Sequence, residues 1–274
     1  MIRIGTSGFS FPDWKGNVYP EKISSKDMLS YYAYNFKFEA VEINSTYYAI
    51  PAARNMDAMS VKTPDGFEFV VKGYKGMTHD PFDGRLEKRP SEDDIRNSFQ
   101  AFNEGVAPLR DSGKLGAVLL QFPVFFHNNR KSSDYILRCR EYLKDIPLVV
   151  EFRNCEWAGE DTLALLRRNS IGYCTVDEPE LPRLMPFHNE VTSSLGYVRF
   201  HGRNKNWFNS SLSERYNYFY SEDELREFIP KVRKMETESH RMYAFFNNCH
   251  MGFALRNAVT FRKMLNQDVA VAVE

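Results

Sequence analysis

The stretch Pro147-Leu-Val-Val-Glu-Phe-Arg-Asn-Cys-Glu-Trp157 begins as a buried β-strand and ends in charged residues. Its first half is apolar and β-branched, which is typical of a strand covered on both faces. Because strand side chains alternate between faces, Glu151 and Arg153 point to one side, and Val150 and Phe152 point to the other. Buried charges destabilise a fold unless they pair or serve a function, so this ending predicts an ion pair or a site.

Seven further apolar stretches predict strands, and helical patterns separate most of them. Two helices begin at the capping boxes Ser91-Glu-Asp-Asp94 and Ser221-Glu-Asp-Glu224. Eight alternating units in 274 residues predict a parallel α/β sheet closed as a (β/α)8 TIM barrel, a single domain over residues 1–274. An open doubly wound sheet is less favoured, because no glycine fingerprint follows a strand. The seven strands are predicted at Ile2–Thr6, Ala40–Thr46, Phe67–Gly73, Leu115–Phe122, Gly172–Val176, Gly196–His201 and Arg241–Asn247.

The composition favours a folded protein with no general affinity for polyanions. Hydrophobic residues make up 43%, and Lys+Arg and Asp+Glu are 36 each, so the net charge is +0. Non-specific nucleic-acid binding needs a cationic surplus, which this balance lacks. The cysteines form no CxxC or zinc-finger spacing, which predicts free thiols in a reducing compartment. Because no leader-like segment and no run of about 20 apolar residues is present, we expect a cytoplasmic protein outside the membrane.

Polar side chains recur at the carboxyl ends of the predicted strands. In a TIM barrel these ends surround the mouth, where active sites lie. Strand alternation turns the apolar residues toward the helices and the polar residues toward the mouth, although the parity of the eighth strand is ambiguous. A plug of ion pairs is the structural alternative, but mixed carboxylates, cations, imidazole and amides are more typical of a ligand site. The predicted mouth residues are Glu42, Asn44, Lys72, Gln121, Glu151, Arg153, Asp177, Arg199, His201 and Asn247.

Residue chemistry suggests catalytic and anion-binding roles within this mouth. Glu42 and Glu151 come from different strands and form a candidate acid/base pair. Arg153 and Arg199 suit a carboxylate or a phosphate. Lys72 is a candidate for anion binding, acid catalysis or Schiff-base formation.

The other candidates carry a proton, contact the substrate or cover it. His201 stands at a strand end and is a candidate proton carrier. His79, in the polar loop after the third strand, is expected to close over the mouth. Trp14 and Trp207 lie in loops on the mouth side, where aromatic walls suit sugar rings or nucleobases. The residues expected to contact or orient the substrate are Asn44, Gln121, Asp177 and Asn247.

No metal and no cofactor is predicted. The mouth offers carboxylate and imidazole ligands, but the neighbouring Lys72 and Arg153 would repel a divalent cation. The sequence also lacks the His-x-His and HExxH pairs that are typical of zinc enzymes. A divalent-metal hydrolase is therefore only an alternative hypothesis.

A series of short motifs occurs in order along the chain: Ile4-Gly5-Thr6-Ser7-Gly8-Phe9, Trp14-Lys15-Gly16, Val41-Glu42-Ile43-Asn44-Ser45-Thr46, Thr63-Pro64-Asp65-Gly66-Phe67, Thr78-His79, Leu120-Gln121-Phe122-Pro123, Glu151-Phe152-Arg153, Arg199-Phe200-His201-Gly202 and Phe246-Asn247-Asn248. Together they resemble the YecE-like family, the domain of unknown function numbered 72. The resemblance implies a TIM-type barrel and no established activity. Asn154 departs from the pattern, because many members have His there. Members are distantly similar to endonuclease IV and xylose isomerase barrels, whose clustered metal-binding residues this sequence does not reproduce.

The leading hypothesis is an enzyme, such as a hydrolase or an isomerase, that works at the carboxyl end of the barrel. It would perform acid/base chemistry on a small polar substrate that is anionic or sugar-like. A less favoured alternative is a nucleic-acid-binding module, because the loop Gly202–Tyr220 mixes basic and aromatic residues.

Overall fold

The computed structural model describes residues 1–208 and 212–271, and its strands form one sheet. The strands are β1 (Ile2–Thr6), β2 (Ala40–Ile43), β3 (Glu68–Lys72), β4 (Leu115–Gln121), β5 (Leu148–Glu151), β6 (Gly172–Asp177), β7 (Leu195–Phe200) and β8 (Arg241–Phe246). Their order in the sheet is β1-β8-β7-β6-β5-β4-β3-β2, and each neighbouring pair is parallel. All the carboxyl ends therefore lie at one end of the sheet.

The sheet closes on itself between β1 and β2. A parallel bridge joins Ser7 to Glu42, and Asn44 Nδ2 donates a hydrogen bond to the carbonyl oxygen of Ser7 at 3.2 Å. Gly5 permits this approach, because a Cβ there would lie 2.2 Å from the carbonyl oxygen of Ala40. The predicted single-domain (β/α)8 TIM barrel is confirmed.

Helices follow the strands and cover the outside of the barrel. They are α1 (Met28–Tyr34), α2 (Ala53–Ser60), α3 (Lys75–Thr78), α4 (Glu92–Asp111), α5 (Arg130–Tyr142), α6 (Glu160–Arg168), α7 (Leu212–Arg215), α8 (Glu222–Thr237) and α9 (Phe253–Val271). Ser91 and Ser221 form the predicted capping boxes at α4 and α8. Phe200 of β7 packs between Phe228 of α8 and Phe261 of α9, which shows how the apolar strand face meets the helices. Within the described ranges, we find no helix that is both long and apolar enough to cross a membrane.

The second strand is shorter than the sequence predicts. The expected range Ala40–Thr46 ends at Ile43, because Asn44 adopts φ −97° and ψ −17° and leads into a 3-10 turn. This turn covers Ser45–Tyr47, so the chain bends over the barrel mouth instead of continuing away from it. Asn44 and Tyr47 are thereby brought to the edge of the site described below.

A group of charges lies at the opposite, amino-terminal end of the strands. We call Arg3, Glu68, Arg241 and Tyr243 the floor cluster. The Tyr243 hydroxyl donates to Glu68, whose carboxylate also lies 3.0 Å from Arg3 Nε and 3.3 Å from Arg241 Nη1. The Arg3 and Arg241 side chains are 23% and 42% exposed, so one buried carboxylate is shared by two cations that reach solvent.

Candidate functional site

A cavity of about 820 Å³ opens at the carboxyl ends of the strands. Its volume lies in the range that is usual for small-molecule sites. Its charged lining residues are all cations, namely Lys72, Arg153, Arg199 and Arg215, and no Asp or Glu of the described chain lines it. Further lining residues from the sequence prediction are Asn44, His79, Gln121, Trp207 and Asn247.

Arg199 joins two glutamates beneath the cavity. Its Nη2 donates to Glu42 Oε1 at 2.6 Å, and its Nη1 donates to Glu151 Oε2 at 2.5 Å. Tyr197, on the same face of β7, donates its hydroxyl to Glu42 Oε2 at 2.6 Å. All four side chains are buried, but only Arg199 lines the cavity. The carboxylates therefore lie behind the guanidinium and fix its position.

Arg153 holds a second set of carboxylates. Its Nε lies 2.6 Å from Glu151 Oε1, and its Nη1 donates to Glu178 Oε2 at 2.8 Å. Burial alone would raise the pKa of Glu151, but the charges of Arg153 and Arg199 outweigh it and hold that pKa well below its usual range. Burial raises the pKa of Glu178 to about 7, although Arg153 opposes the shift. Glu151 is thus a permanent anion, whereas Glu178 titrates near neutrality.

His201 connects these charges to the cavity wall. Its Nε2 lies 3.1 Å from Arg153 Nη2 and 3.3 Å from Glu151 Oε1, and its Nδ1 lies 2.9 Å from the side-chain amide of Asn247. Burial and the Arg153 charge lower the pKa of His201 well below its usual value, so the ring is neutral. We call Glu42, Glu151, Arg153, Glu178, Arg199 and His201 the mouth cluster.

Lys72 ends β3 and reaches the cavity from another side. Its Nζ donates to Gln121 Oε1 at 2.7 Å and lies 4.7 Å from the centre of the Tyr47 ring. No carboxylate of the described chain lies within ion-pair distance of Nζ, since the nearby glutamates are engaged by Arg153 and Arg199. Burial, helped by the Arg199 charge, lowers the pKa of Lys72 to about 7.

His79 is placed beside Lys72, on the turn after α3. Its ring packs edge-on against Tyr47 at 4.9 Å between centroids, and its Nδ1 lies 2.9 Å from Thr78 Oγ1. Burial and the Lys72 charge lower the pKa of His79 to about 3. The residue lines the cavity as a neutral ring, and its closing over the mouth stays a prediction.

Trp207 forms another part of the cavity wall together with two residues from its loop. Its ring lies 5.9 Å from the Arg153 guanidinium and 5.4 Å from that of Arg215, and Tyr216 packs edge-on against it at 5.7 Å. Arg215 Nε donates to the Trp207 carbonyl oxygen at 2.9 Å. Arg215 and Tyr216 stood out in the sequence only as part of a basic and aromatic loop, but both line the cavity.

Asp177 does not line the mouth, so its predicted placement was wrong. Its carboxylate accepts hydrogen bonds from Tyr220 and from Arg203 Nε, on the side of β7 and β8 that faces the helices. Cys174 shows the true parity of β6, because its Sγ lies 3.9 Å from Glu151 inside the barrel. The carboxylate that β6 contributes to the mouth is the next residue, Glu178, which the sequence prediction missed.

Trp14 is also placed differently from the prediction. Its ring is fully buried against Phe11 and Tyr19, and its Nε1 donates to the carbonyl oxygen of Cys249 at 2.7 Å. The ring packs under the loop after β1, and the cavity wall from that loop is formed by Phe9 and Phe11 instead. Trp14 therefore stabilises the loop that carries part of the wall.

The arrangement of the possible metal ligands does not favour a metal site in the described ranges. No set of three or more His, Cys, Asp or Glu side chains there is arranged to hold an ion. In the mouth cluster, the acidic and imidazole groups contact guanidinium groups, as shown for Glu151, Glu178 and His201.

Comparison with known proteins gives the family. The family model described as a protein of unknown function, DUF72, matches residues 3–273. The UPF0759 protein YunF of Bacillus subtilis (strain 168) is 32% identical over 286 aligned positions, which cover 97% of this chain and 95% of that protein. A DUF72 family protein from Thermotoga maritima superposes with a TM-score of 0.88 at 39% identity, covering 97% of this chain and 99% of the other. A DUF72 family protein from Enterococcus faecalis superposes with a TM-score of 0.84 at 32% identity, covering 97% of this chain and 96% of the other. The chain belongs to the DUF72 family, as its motifs indicated.

Proposed function

We propose that this protein is an enzyme that binds a small anionic molecule in the barrel mouth and transfers a proton through Lys72. The observation that carries the proposal is the positive charge of the residues that line the cavity. Its described charged residues are cations only, while the carboxylates lie recessed behind Arg153 and Arg199. Such an arrangement presents fixed positive charge in a poorly solvated space, which favours a carboxylate or a phosphate.

The uncharged residues that line the cavity favour a ligand that also carries polar groups and a flat ring. Aromatic residues on two sides suit a sugar ring or another planar group. Asn44 also lines the cavity and adds a polar side chain to this wall. The aromatic lining residues are Phe9, Phe11, Tyr47, Tyr48, Trp207 and Tyr216.

In this proposal the two strand-end glutamates position the cations, and Lys72 is the acid/base group. Glu42 and Glu151 are each held by Arg199, and neither lines the cavity; the charges of Arg153 and Arg199 also keep the pKa of Glu151 well below its usual range. Lys72 combines contact with the cavity and a pKa of about 7, which suits proton transfer at neutral pH.

A matched ligand panel tests the proposal. We expect sugar phosphates and hydroxy acids to bind the protein, and their neutral counterparts to bind at least about tenfold more weakly, by calorimetric titration. Lys72→Met and Arg215→Met should each weaken the anionic ligands, whereas Lys75→Met, on an exposed lysine outside the lining, should not. Equal binding of neutral and anionic members, or no response to the two cavity variants, would refute the proposal.

The same titration addresses the nucleic-acid alternative. A single-stranded oligonucleotide, titrated at two salt concentrations, should bind with marked salt dependence if that alternative holds. Binding that is confined to small anions and inhibited by excess phosphate would favour the proposed enzyme instead.

A further inference from the structure

The surroundings of Lys72 differ from those of an ordinary anion-binding lysine. Its amine is partly buried at the end of β3 and faces the cavity. Its neighbours are the oxygen of Gln121 at 2.7 Å and the face of Tyr47 at 4.7 Å, with no carboxylate in ion-pair range among the described residues. Both neighbours can stabilise a cation, but neither locks the amine in its charged form as a carboxylate would.

The charges that act on Lys72 are also unusual for a lysine, because Arg199 lowers its pKa by more than either Glu151 or Glu42 raises it. The guanidinium of Arg199 has the same sign as the ammonium group and belongs to a network that fixes it between Glu42 and Glu151. A lysine that is desolvated beside another cation loses its proton easily and becomes a nucleophile. Burial and the Arg199 charge lower the pKa of Lys72 to about 7, so its amine loses a proton more readily than that of an ordinary lysine.

We propose that Lys72 forms a Schiff base with an anionic aldehyde or ketone, which makes anionic carbonyl compounds the substrate class of the cavity. This inference rests on the anion binding proposed above. The neutral amine attacks the carbonyl carbon, the C=O π electrons move to oxygen, and a proton passes from nitrogen to that oxygen. The proton that the ammonium form of Lys72 released to become neutral is returned to the new hydroxyl group, which leaves as water, and a protonated C=N bond to Lys72 remains.

The reaction balances without another reactant. An ammonium group and a carbonyl group give a protonated imine and one water molecule, so the net charge on Lys72 is the same before and after. Gln121 and Tyr47, which contact the ammonium group, are placed to stabilise the iminium as well. The anionic part of the substrate is held by Arg153 and Arg215, which both line the cavity and lie 5.9 Å and 5.4 Å from the Trp207 ring.

Reductive trapping tests the inference on the full chain. The protein is incubated at pH 7 with pyruvate, glyoxylate or glycolaldehyde phosphate in the presence of cyanoborohydride, and modified lysines are identified by peptide mass mapping over time. We expect Lys72 to be modified at least about tenfold faster than Lys75, the lysine three residues later, because Lys72 lines the cavity that would hold the anionic carbonyl compound and Lys75 does not. Lys72→Arg should abolish the fast phase, and excess inorganic phosphate should slow it.

The outcomes separate this inference from the proposed function. If Lys72 is modified no faster than Lys75 while anions still bind and depend on Lys72, the Schiff base is wrong and the anion site stands. If no anion binds and no fast modification occurs, both proposals fail. A neutral aldehyde that modifies Lys72 as fast as glyoxylate does would contradict the anionic substrate class.

Discussion

The mouth cluster and the floor cluster place similar charged groups at opposite ends of one barrel, but they compensate these charges differently. In the floor cluster, Glu68 is shared by Arg3 and Arg241, whose side chains reach solvent. In the mouth cluster, Arg199 is 1% exposed and is held by two fully buried glutamates. Exposed cations are stabilised by water, whereas buried ones depend on their partners.

The second difference is the use to which the charges are put. In the floor cluster, both arginines, Arg3 and Arg241, pair with Glu68, and no other cation of the described residues forms an ion pair there. In the mouth cluster the glutamates form ion pairs with Arg153 and Arg199. Lys72 lies beside them and has no ion-pair partner among the described residues. The comparison teaches that a buried ion network can act as a support that holds cations toward a cavity, in addition to closing a barrel.

The largest expected effect comes from breaking the mouth cluster at its centre. Arg199→Leu leaves Glu42 and Glu151 buried with too little positive charge, so we expect a loss of about 3–5 kcal/mol in the free energy of unfolding. Arg241→Leu at the floor should cost only about 1 kcal/mol, because Glu68 keeps Arg3 and Tyr243. Urea unfolding of both variants measures the difference, and equal losses would show that the two clusters are energetically alike.

A smaller effect of opposite sign is expected for Lys72. Burial of its ammonium group opposes folding, so Lys72→Met should raise the free energy of unfolding by about 1–2 kcal/mol at pH 6.5, after the lost contact with Gln121 is allowed for. Stability would thus increase as the proposed function is lost.

The stability difference between Lys72→Met and the wild type should depend on pH. The pKa of Lys72 is about 7 in the folded protein, whereas its ordinary value, 10.5, applies to the unfolded chain. Below pH 7 the amine is charged in both the folded and the unfolded state, so the full cost of burying the charge opposes folding. Between pH 7 and 10.5 the unfolded chain binds more protons than the folded protein, so the free energy of unfolding of the wild type rises with pH. The advantage of Lys72→Met should therefore shrink from pH 6.5 to pH 9.5. Parallel stability curves for the two proteins would contradict a depressed Lys72 pKa.

Local sequence patterns predicted the barrel because strand and helix periodicity are properties of short segments. They also suggested which strand ends carry charge, since β2, β5 and β7 are otherwise uncharged and each has one charged residue near its carboxyl end. The pattern was uninformative at β6, where Tyr173 and Thr175 are compatible with either face, and there Asp177 was assigned to the wrong side. Parity needs a contrast between the two faces, and this strand provides little.

Other features of the site depend on contacts between distant segments. The pairing of Arg199 with Glu42 and Glu151 follows from the stagger of strands that are 157 and 48 residues away along the chain. Trp14 resembles a wall residue in sequence, but its indole is buried and donates a hydrogen bond to the carbonyl oxygen of Cys249, 235 residues further along the chain. Periodicity cannot reveal such contacts, because it describes one segment at a time.

The smallest expected effect concerns salt and separates the two ends of the barrel once more. The 42% exposed side chain of Arg241 interacts with Glu68 partly through solvent, so the cost of Arg241→Leu should fall from about 1 kcal/mol at low salt to near zero in 1 M NaCl. The cost of Arg199→Leu should stay nearly constant, because ions do not screen a pair that is 1% and 0% exposed. Paired urea titrations at the two salt concentrations measure both values. A salt-sensitive Arg199 variant would mean that solvent ions reach the mouth cluster, and its glutamates would then be accessible to a ligand as well.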